Sequence, residues 1–341
     1  MRSLAIPVLA ALLGLGGPCM AADSAGWTAI TVQASRAFSE MLRSGNAIYL
    51  DTGLSDAAGR YQRVHLQADG IVLEALPNFL IAPGEYRPGM LPDGGIVNGR
   101  GIVEAWLAGP TQRYRHGVLG DGVEATTLKV TDDLRRQIVY ELPADSVFED
   151  RFPRLADLDG DGNDEALLVR SYLDRGAALA VFKLDGDRLL LAAESEPIGK
   201  PQRWLNPAGI ADFDGDGRPE IAAVETPHIG GVLVLYEMTD GKLVPEQRIQ
   251  GFSNHAIGSR ELGMAAAVDL DGDGIADLAL PDAQRRALRM VSFAGGNFRQ
   301  IAVVDHDRAI VSGIHVVDLD GDGAPELVYA LDNATVVVLK H

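Results

Sequence analysis

A chain that repeats Asp-x-Asp-Gly-Asp-Gly-x-x-acid four times, at near-even spacing and between short apolar runs, is predicted to be all-β. The expected fold is a β-propeller of about six four-stranded blades, with five or seven open, closed by an amino-terminal strand. The repeats occupy residues 157–165, 212–220, 269–277 and 318–326, so their first residues step by 55, 57 and 49. After each comes a short apolar strand, at residues 166–169, 221–224, 278–280 and 327–330. Strands at 210–212 and 315–318 precede two of the loops, so each loop is expected to join neighbouring strands. Two further strands, 177–184 and 189–194, flank Asp185-Gly186-Asp187, and 232–237 and 243–248 flank Asp240-Gly241, both good hairpin turns.

From the amino end, Arg2 precedes an apolar run at 4–15, then Gly16, Gly17 and Pro18, then Ala21 and Ala22 before Asp23. This predicts a cleaved export signal over residues 1–22, with residues 23–341 as one domain. Pro18 before Cys19 argues against a lipid anchor, and cleavage removes the only cysteine, so no disulfide can staple the mature chain. Residues 28–32 or 61–66 are candidates for the closing strand. Phe38, Met41 and Leu42 stand at helical spacing and predict a packed helix over 35–43. Residues 23–150 are expected to form degenerate, metal-free blades, whose segments 91–95 and 119–122 look like acid-poor loops. Metal-loop blades follow at about 151–200, 201–255, 256–305 and 306–341, the last lacking a fourth strand of its own.

Each loop offers an oxygen cage to a hard cation. Carboxylates stand at positions one, three, five and nine, a backbone carbonyl at seven, and a glycine at six makes the sharp turn. The expected ligands are Asp157, Asp159, Asp161, Asn163 and Glu165; Asp212, Asp214, Asp216, Arg218 and Glu220; Asp269, Asp271, Asp273, Ile275 and Asp277; and Asp318, Asp320, Asp322, Ala324 and Glu326. Asn163, Arg218, Ile275 and Ala324 would serve through their carbonyls. A helix-loop-helix calcium hand needs a bidentate Glu at position twelve, where this chain has Leu168, Ala223, Leu280 and Tyr329, so that rival fails.

The loops at 157–162 and 212–217, set between the first two strands of a blade, resemble the FG-GAP/VCBS-type repeats of integrin-like propellers. The resemblance covers residues 150–341 strongly and 75–150 weakly. It implies a propeller whose loop carboxylates bind calcium, at four sites. Carboxylates at every cage position leave no open coordination for substrate, so the ions are expected to be structural.

The formal net charge of −18 disfavours nucleic acid, and each divalent ion would offset two units of it. No stretch after the leader is long and apolar enough to span a membrane. Strand phase places the metal loops opposite the inter-blade connections, where Trp204, Asn206, His228, Asn254, His255 and Arg260 are the candidate ligand residues. Arginines there suit a carboxylate or phosphate, and Trp204 could stack on a ring, so the expected partner is a protein, a glycan or an anionic small molecule. The chain carries no His-Glu-x-x-His, Gly-x-Ser-x-Gly or phosphate loop. The leading expectation is an exported, periplasmic or secreted, non-enzymatic binding module. Its rivals are a polysaccharide-active or other enzyme with its site on the inter-blade face, and a scaffold of a cell-envelope assembly.

Overall fold

The computed structural model describes residues 26–53, 59–77, 79 and 84–341. The leader expected over 1–22 lies outside the described residues. Within them one 3-10 turn, Ala294–Gly296, interrupts an otherwise all-β chain.

β1 (Thr28–Gln33) opens the described chain, and β2 (Glu40–Ser44), β3 (Ala47–Asp51), β4 (Tyr61–Gln67) and β5 (Gly70–Leu76) pair in order as an antiparallel sheet. β6 (Ile102–Thr111), β7 (Glu124–Asp132) and β8 (Gln137–Glu141) form the next meander, and bridges from Met90 to Ala108 and Val97 to Ala105 add a fourth run beside β6. β9 (Ser146–Phe148) touches both β7 and β11 and stitches that unit to the following one. Then come β10 (Arg154–Ala156), β11 (Glu165–Tyr172), β12 (Gly176–Asp185) and β13 (Arg188–Ser195), and β14 (Leu205–Ala211), β15 (Glu220–Glu225), β16 (Val232–Thr239) and β17 (Lys242–Gln250). β18 (Ala266–Val268), β19 (Asp277–Pro281), β20 (Ala287–Ser292) and β21 (Arg299–Asp305) make another unit, and β22 (His315–Val317), β23 (Glu326–Ala330) and β24 (Thr335–Lys340) the last.

The missing strand of that last unit is β1, which pairs antiparallel with β24 from Thr28↔Lys340 to Gln33↔Thr335. Of the two candidate segments, 28–32 therefore takes this place, while Tyr61–Gln67 is an inner strand of its own sheet.

Burial explains the stacking. The second strand of each metal unit is apolar on both faces, as in Ala166, Leu167, Leu168 and Val169, because a sheet lies on either side of it. One core holds Leu167, Val169, Ala223 and Val234 from the β10–β13 and β14–β17 units; another holds Leu233, Leu235, Leu278 and Val291 from β14–β17 and β18–β21. A third joins Met290 and Leu288 to Tyr329 and Val337, and a fourth joins Val328 and Val338 to Ile48 and Leu50 of the β2–β5 sheet. Outer strands are half-solvated: β17 buries Leu243 alone, and β21 buries Ala302 and Val304 between more exposed residues.

Two expectations need correction. Residues 40–44 are strand β2 rather than part of a helix, pairing with β3 through Met41↔Leu50. Only Met41 enters the core while Glu40 and Arg43 face outward, and three apolar positions in so short a window fit either period. The acid-poor segments at 91–95 and 119–122 do not occupy the metal-loop position. That position, between the first and second strands of the β6–β8 unit, is the turn 98–101.

Candidate metal centres and the opposite face

All four acidic loops join the first strand of a unit to the second, and all four fold on the same internal hydrogen bonds. The first aspartate accepts from both loop glycines: Gly160 and Gly162 donate to Asp157 at 2.8 and 3.0 Å, Gly215 and Gly217 to Asp212 at 2.7 and 2.9 Å. Gly272 and Gly274 serve Asp269 alike, and Gly321 and Gly323 serve Asp318. Both glycines have positive φ in every loop, +76° and +91° in the first, which is why aspartates alternate with glycine rather than with a side-chain-bearing residue. The third residue accepts from the fifth N–H and the fifth from the seventh, as with Asp161 to Asp159 and Asn163 to Asp161.

The ninth residue ties the loop back on itself, and in three of the four loops it joins the convergent acids. One oxygen of its carboxylate accepts the N–H of the second loop residue: Leu158 to Glu165 at 2.8 Å, Phe213 to Glu220 at 2.7 Å, Leu270 to Asp277 at 2.9 Å and Leu319 to Glu326 at 2.7 Å. The other oxygen is buried and accepts no hydrogen bond in Glu165, Asp277 and Glu326. A buried, unpartnered carboxylate oxygen costs free energy unless a cation meets it. Burial pushes the Glu220 carboxyl up to about 7, helped by the charges of Asp214 and Asp212 and opposed by the Phe213 N–H.

Ligand-capable oxygens converge within 4.8 Å in each loop, from Asp157, Asp159 and Glu165; from Asp212, Asp214, Asp216 and Glu220; from Asp269, Asp271 and Asp273; and from Asp318, Asp320 and Glu326. These clusters could hold metal ions. Neighbouring loops also touch: Gly295 N donates to Asp214 O at 2.8 Å, and Arg100, on the turn 98–101, pairs with Asp164 at 3.0 Å.

On the opposite face the structure brings five of the six candidate ligand residues together. Trp204 stacks on His228 with ring centroids 6.1 Å apart and meets His255 edge-on at 4.7 Å. His228 Nε2 lies 2.8 Å from His255 Nδ1, and His255 Nε2 lies 3.0 Å from Ser259 O. Asn206 donates to Asn254 O and Leu262 O, and Asn254 donates back to Asn206 O and Pro207 O. Trp204, Asn206, Asn254 and His255 are buried, whereas His228 is half-buried. Arg260 sits apart and exposed, paired with Asp121 at 3.1 Å and Asp93 at 3.4 Å. Other arginines of this face are likewise matched, Arg151 with Asp93, Arg154 with Asp150 and Arg170 with Glu194.

A second constellation was invisible in the sequence. Glu149, wholly buried, accepts from His116 Nδ1 at 2.7 Å and from the Ser171 hydroxyl, while its backbone carbonyl takes the Trp204 indole N–H at 3.0 Å. Burial raises the Glu149 carboxyl, and His116 and Ser171 pull it back. Glu124 nearby is pushed up to about 9, first by burial and then by the charges of Glu149, Asp121, Asp93 and Asp150. His116 borders an open cavity of about 380 Å³ that is also lined by Gln112, Arg115 and Asp121. Its partners lie on segments 33 residues apart, so no local motif marks it.

Repeated four-stranded units, four of them carrying an acidic turn between the first two strands, define a class of all-β repeat protein. The chain belongs to the FG-GAP-like repeat family, which matches residues 157–223, 212–280 and 269–329, together about half of the chain. Two solved structures are similar to it. One is a rhamnogalacturonan lyase, YesW, at 16% identity over 91% of this chain and 61% of that one, with a TM-score of 0.45. The other is the exotype rhamnogalacturonan lyase YesX, at 17% identity over 91% of this chain and 59% of that one, with a TM-score of 0.46. The chain thus spans about three-fifths of their length. No curated protein sequence matches it. Among the described residues no helix is long and apolar enough to cross a membrane.

Proposed function

We propose that the protein is an exported, calcium-stabilised β-propeller of six four-stranded blades, acting as a non-enzymatic binding module through the face opposite its metal loops. Six units in series, most sharing a core with the next, and an amino-terminal strand completing the last sheet support the propeller reading. The observation that carries the calcium reading is the ninth-position carboxylate, buried in every loop and with one oxygen that accepts no hydrogen bond in three of them.

The side chains at positions one, three, five and nine and the carbonyl at seven would hold the ion, a hard all-oxygen set that suits calcium better than magnesium. Bound calcium would supply the positive charge that ties the first strand of a blade to the second. On the opposite face the Trp204, Asn206, Asn254 and His255 cluster forms the floor, with His228 and Arg260 nearer the surface. Arg115 and Arg203 there donate to the Gln112 side chain and the Gln202 carbonyl, which leaves their charge for an anionic ligand, glycan or acidic protein surface.

Thermal unfolding in excess calcium and in chelator tests the first half. A drop in Tm on chelation is expected, and an unchanged Tm would refute it. Glycan arrays and pull-downs with wild type against Arg115→Ala test the second, and identical profiles would leave the binding face without support.

An enzyme on this same face is the second reading, and one observation favours it. Glu149 orients the His116 ring at the edge of a cavity, the arrangement a general base needs. Turnover of any polysaccharide substrate that His116→Gln abolishes would move the assignment there.

A further inference from the structure

The four loops share a backbone but not their surroundings. The strand registers reach Ala166↔Phe182, Ile221↔Tyr236, Leu278↔Val291 and Leu327↔Leu339, one position short of each loop's ninth residue. They place Lys183, Glu237, Ser292 and Lys340 opposite the ninth-position acids Glu165, Glu220, Asp277 and Glu326.

In the first and fourth loops the opposing lysine enters the cage. Lys183 Nζ bonds to Asp159 and, at 2.8 Å, to Asp161, and lies 3.8 Å from the unpartnered Oε1 of Glu165. Lys340 Nζ bonds to Asp320 and, at 2.7 Å, to Asp322, and lies 3.7 Å from the unpartnered Oε1 of Glu326. Asp161 and Asp322, turned to the ammonium, fall outside the convergent acids of their loops, whereas the second loop keeps Asp212, Asp214, Asp216 and Glu220 together.

In the other two loops the cation is an arginine that bonds to one cage carboxylate rather than two. Arg218 bridges Asp216 and Glu237, and Arg299 meets Asp271; neither pairs with the ninth-position acid.

We infer that the residue across the strand grades the four sites. The second and third loops take calcium first, and the second, whose four acids converge and whose Arg218 is held partly by Glu237, binds it most tightly. The first and fourth loops carry a tethered ammonium where the ion would sit, so calcium enters only by displacing it. This inference rests on the calcium reading above. A divalent ion gains from each added carboxylate and loses to a fixed positive charge a few ångströms away. Both lysine side chains are about one-third exposed, so each can swing to solvent when displaced.

Calorimetric calcium titration of the chelator-treated full chain tests this. Two tight sites and two at least about tenfold weaker are expected. Lys183→Met and Lys340→Met keep the aliphatic stem, and each should convert one weak site to a tight one. Glu237→Gln should weaken one tight site. Melting in parallel supplies a readout independent of stoichiometry: each lysine variant should melt lower than wild type in chelator, yet gain more from calcium. Four indistinguishable sites in the wild type, or lysine variants that leave the weak class intact, would overturn the grading while leaving calcium binding in place. No calcium uptake at all would remove both.

Discussion

At the scale of single residues, the histidine pair on the face opposite the loops has a defined proton arrangement. His255 Nε2 faces the Ser259 carbonyl, so that nitrogen carries the proton, and His255 Nδ1 accepts from His228 Nε2–H. Burial above all pushes His228 down to about 4 and His255 down to about 3, with Arg285 adding to both and His228 adding to His255. The folded protein therefore keeps both rings neutral at pH values where an unfolded histidine, near 6.5, takes up a proton. Stability from this pair is complete above about pH 6.5 and is lost as pH falls towards 4. Glu124 and Glu149, raised by burial, act in the opposite sense, so the pair is isolated by difference. His255→Gln should shrink the stability gap between pH 7 and pH 5 by about 1 kcal/mol or more, read by urea unfolding in saturating calcium; equal gaps in both proteins would sink the argument. Gly231 offers a purely steric counterpart. A Cβ there would fall 1.6 Å from the Phe252 carbonyl oxygen, so Gly231→Ala should cost roughly 1–3 kcal/mol in the same assay. Neither contact could be read in advance, because each depends on which loops of different strands meet.

At the scale of elements, the turns of the four acidic loops were legible in the sequence, and the reason is physical. Alternating aspartates and glycines fold on their own hydrogen bonds, so spacing fixes the loop backbone, while the cross-strand neighbours decide which oxygens converge. The strands beyond them showed as apolar runs between Gly and Asp turns. β2 was misread because only one of its apolar residues faces the core, and the turn 98–101 was missed because it has lost every acid. That turn still packs against its neighbour: a Cβ on Gly101, whose φ is +73°, would lie 2.8 Å from Asn163 Oδ1. Lys183 and Lys340 could be recognised as part of the loops only once the strand registers were known. β1 is the element whose removal should matter most. It buries Ala29 beside Trp27 in the core shared with Leu339 and covers the edge of β24. Deletion of residues 26–33 should lower Tm by at least about 5 °C in calorimetry, and a Tm within error of wild type would show that the pairing contributes nothing.

At the scale of the whole molecule, stability is expected to depend on ion concentration rather than on packing alone. Each site saturated at 100 times its dissociation constant adds about 2.7 kcal/mol. Tm should therefore climb with the logarithm of free calcium, and magnesium at the same concentration should restore little of it, because its preference for a small octahedral, water-retaining shell fits this loop poorly. A magnesium response equal to calcium's would mean that the loops act as an unselective acidic surface. The all-β repeat was legible at this scale because a repeat betrays itself by period. The candidate ligand face was legible only as a location: phase along the repeat pointed to one side, but the His116 and Glu149 pairing arises from tertiary proximity alone.

The pairing of β1 with β24 joins segments some 300 residues apart, and this has a consequence for how the chain comes to its final form. β1 waits for a strand made some 300 residues later, so the sheets between them can assemble while β1 and the edge of β24 are still unpaired. Loop-closure entropy makes that last step slow relative to the local hairpins, and until it is taken both edges can pair with another copy of the chain. Crowded refolding should therefore yield strand-exchanged dimers through this seam before any other.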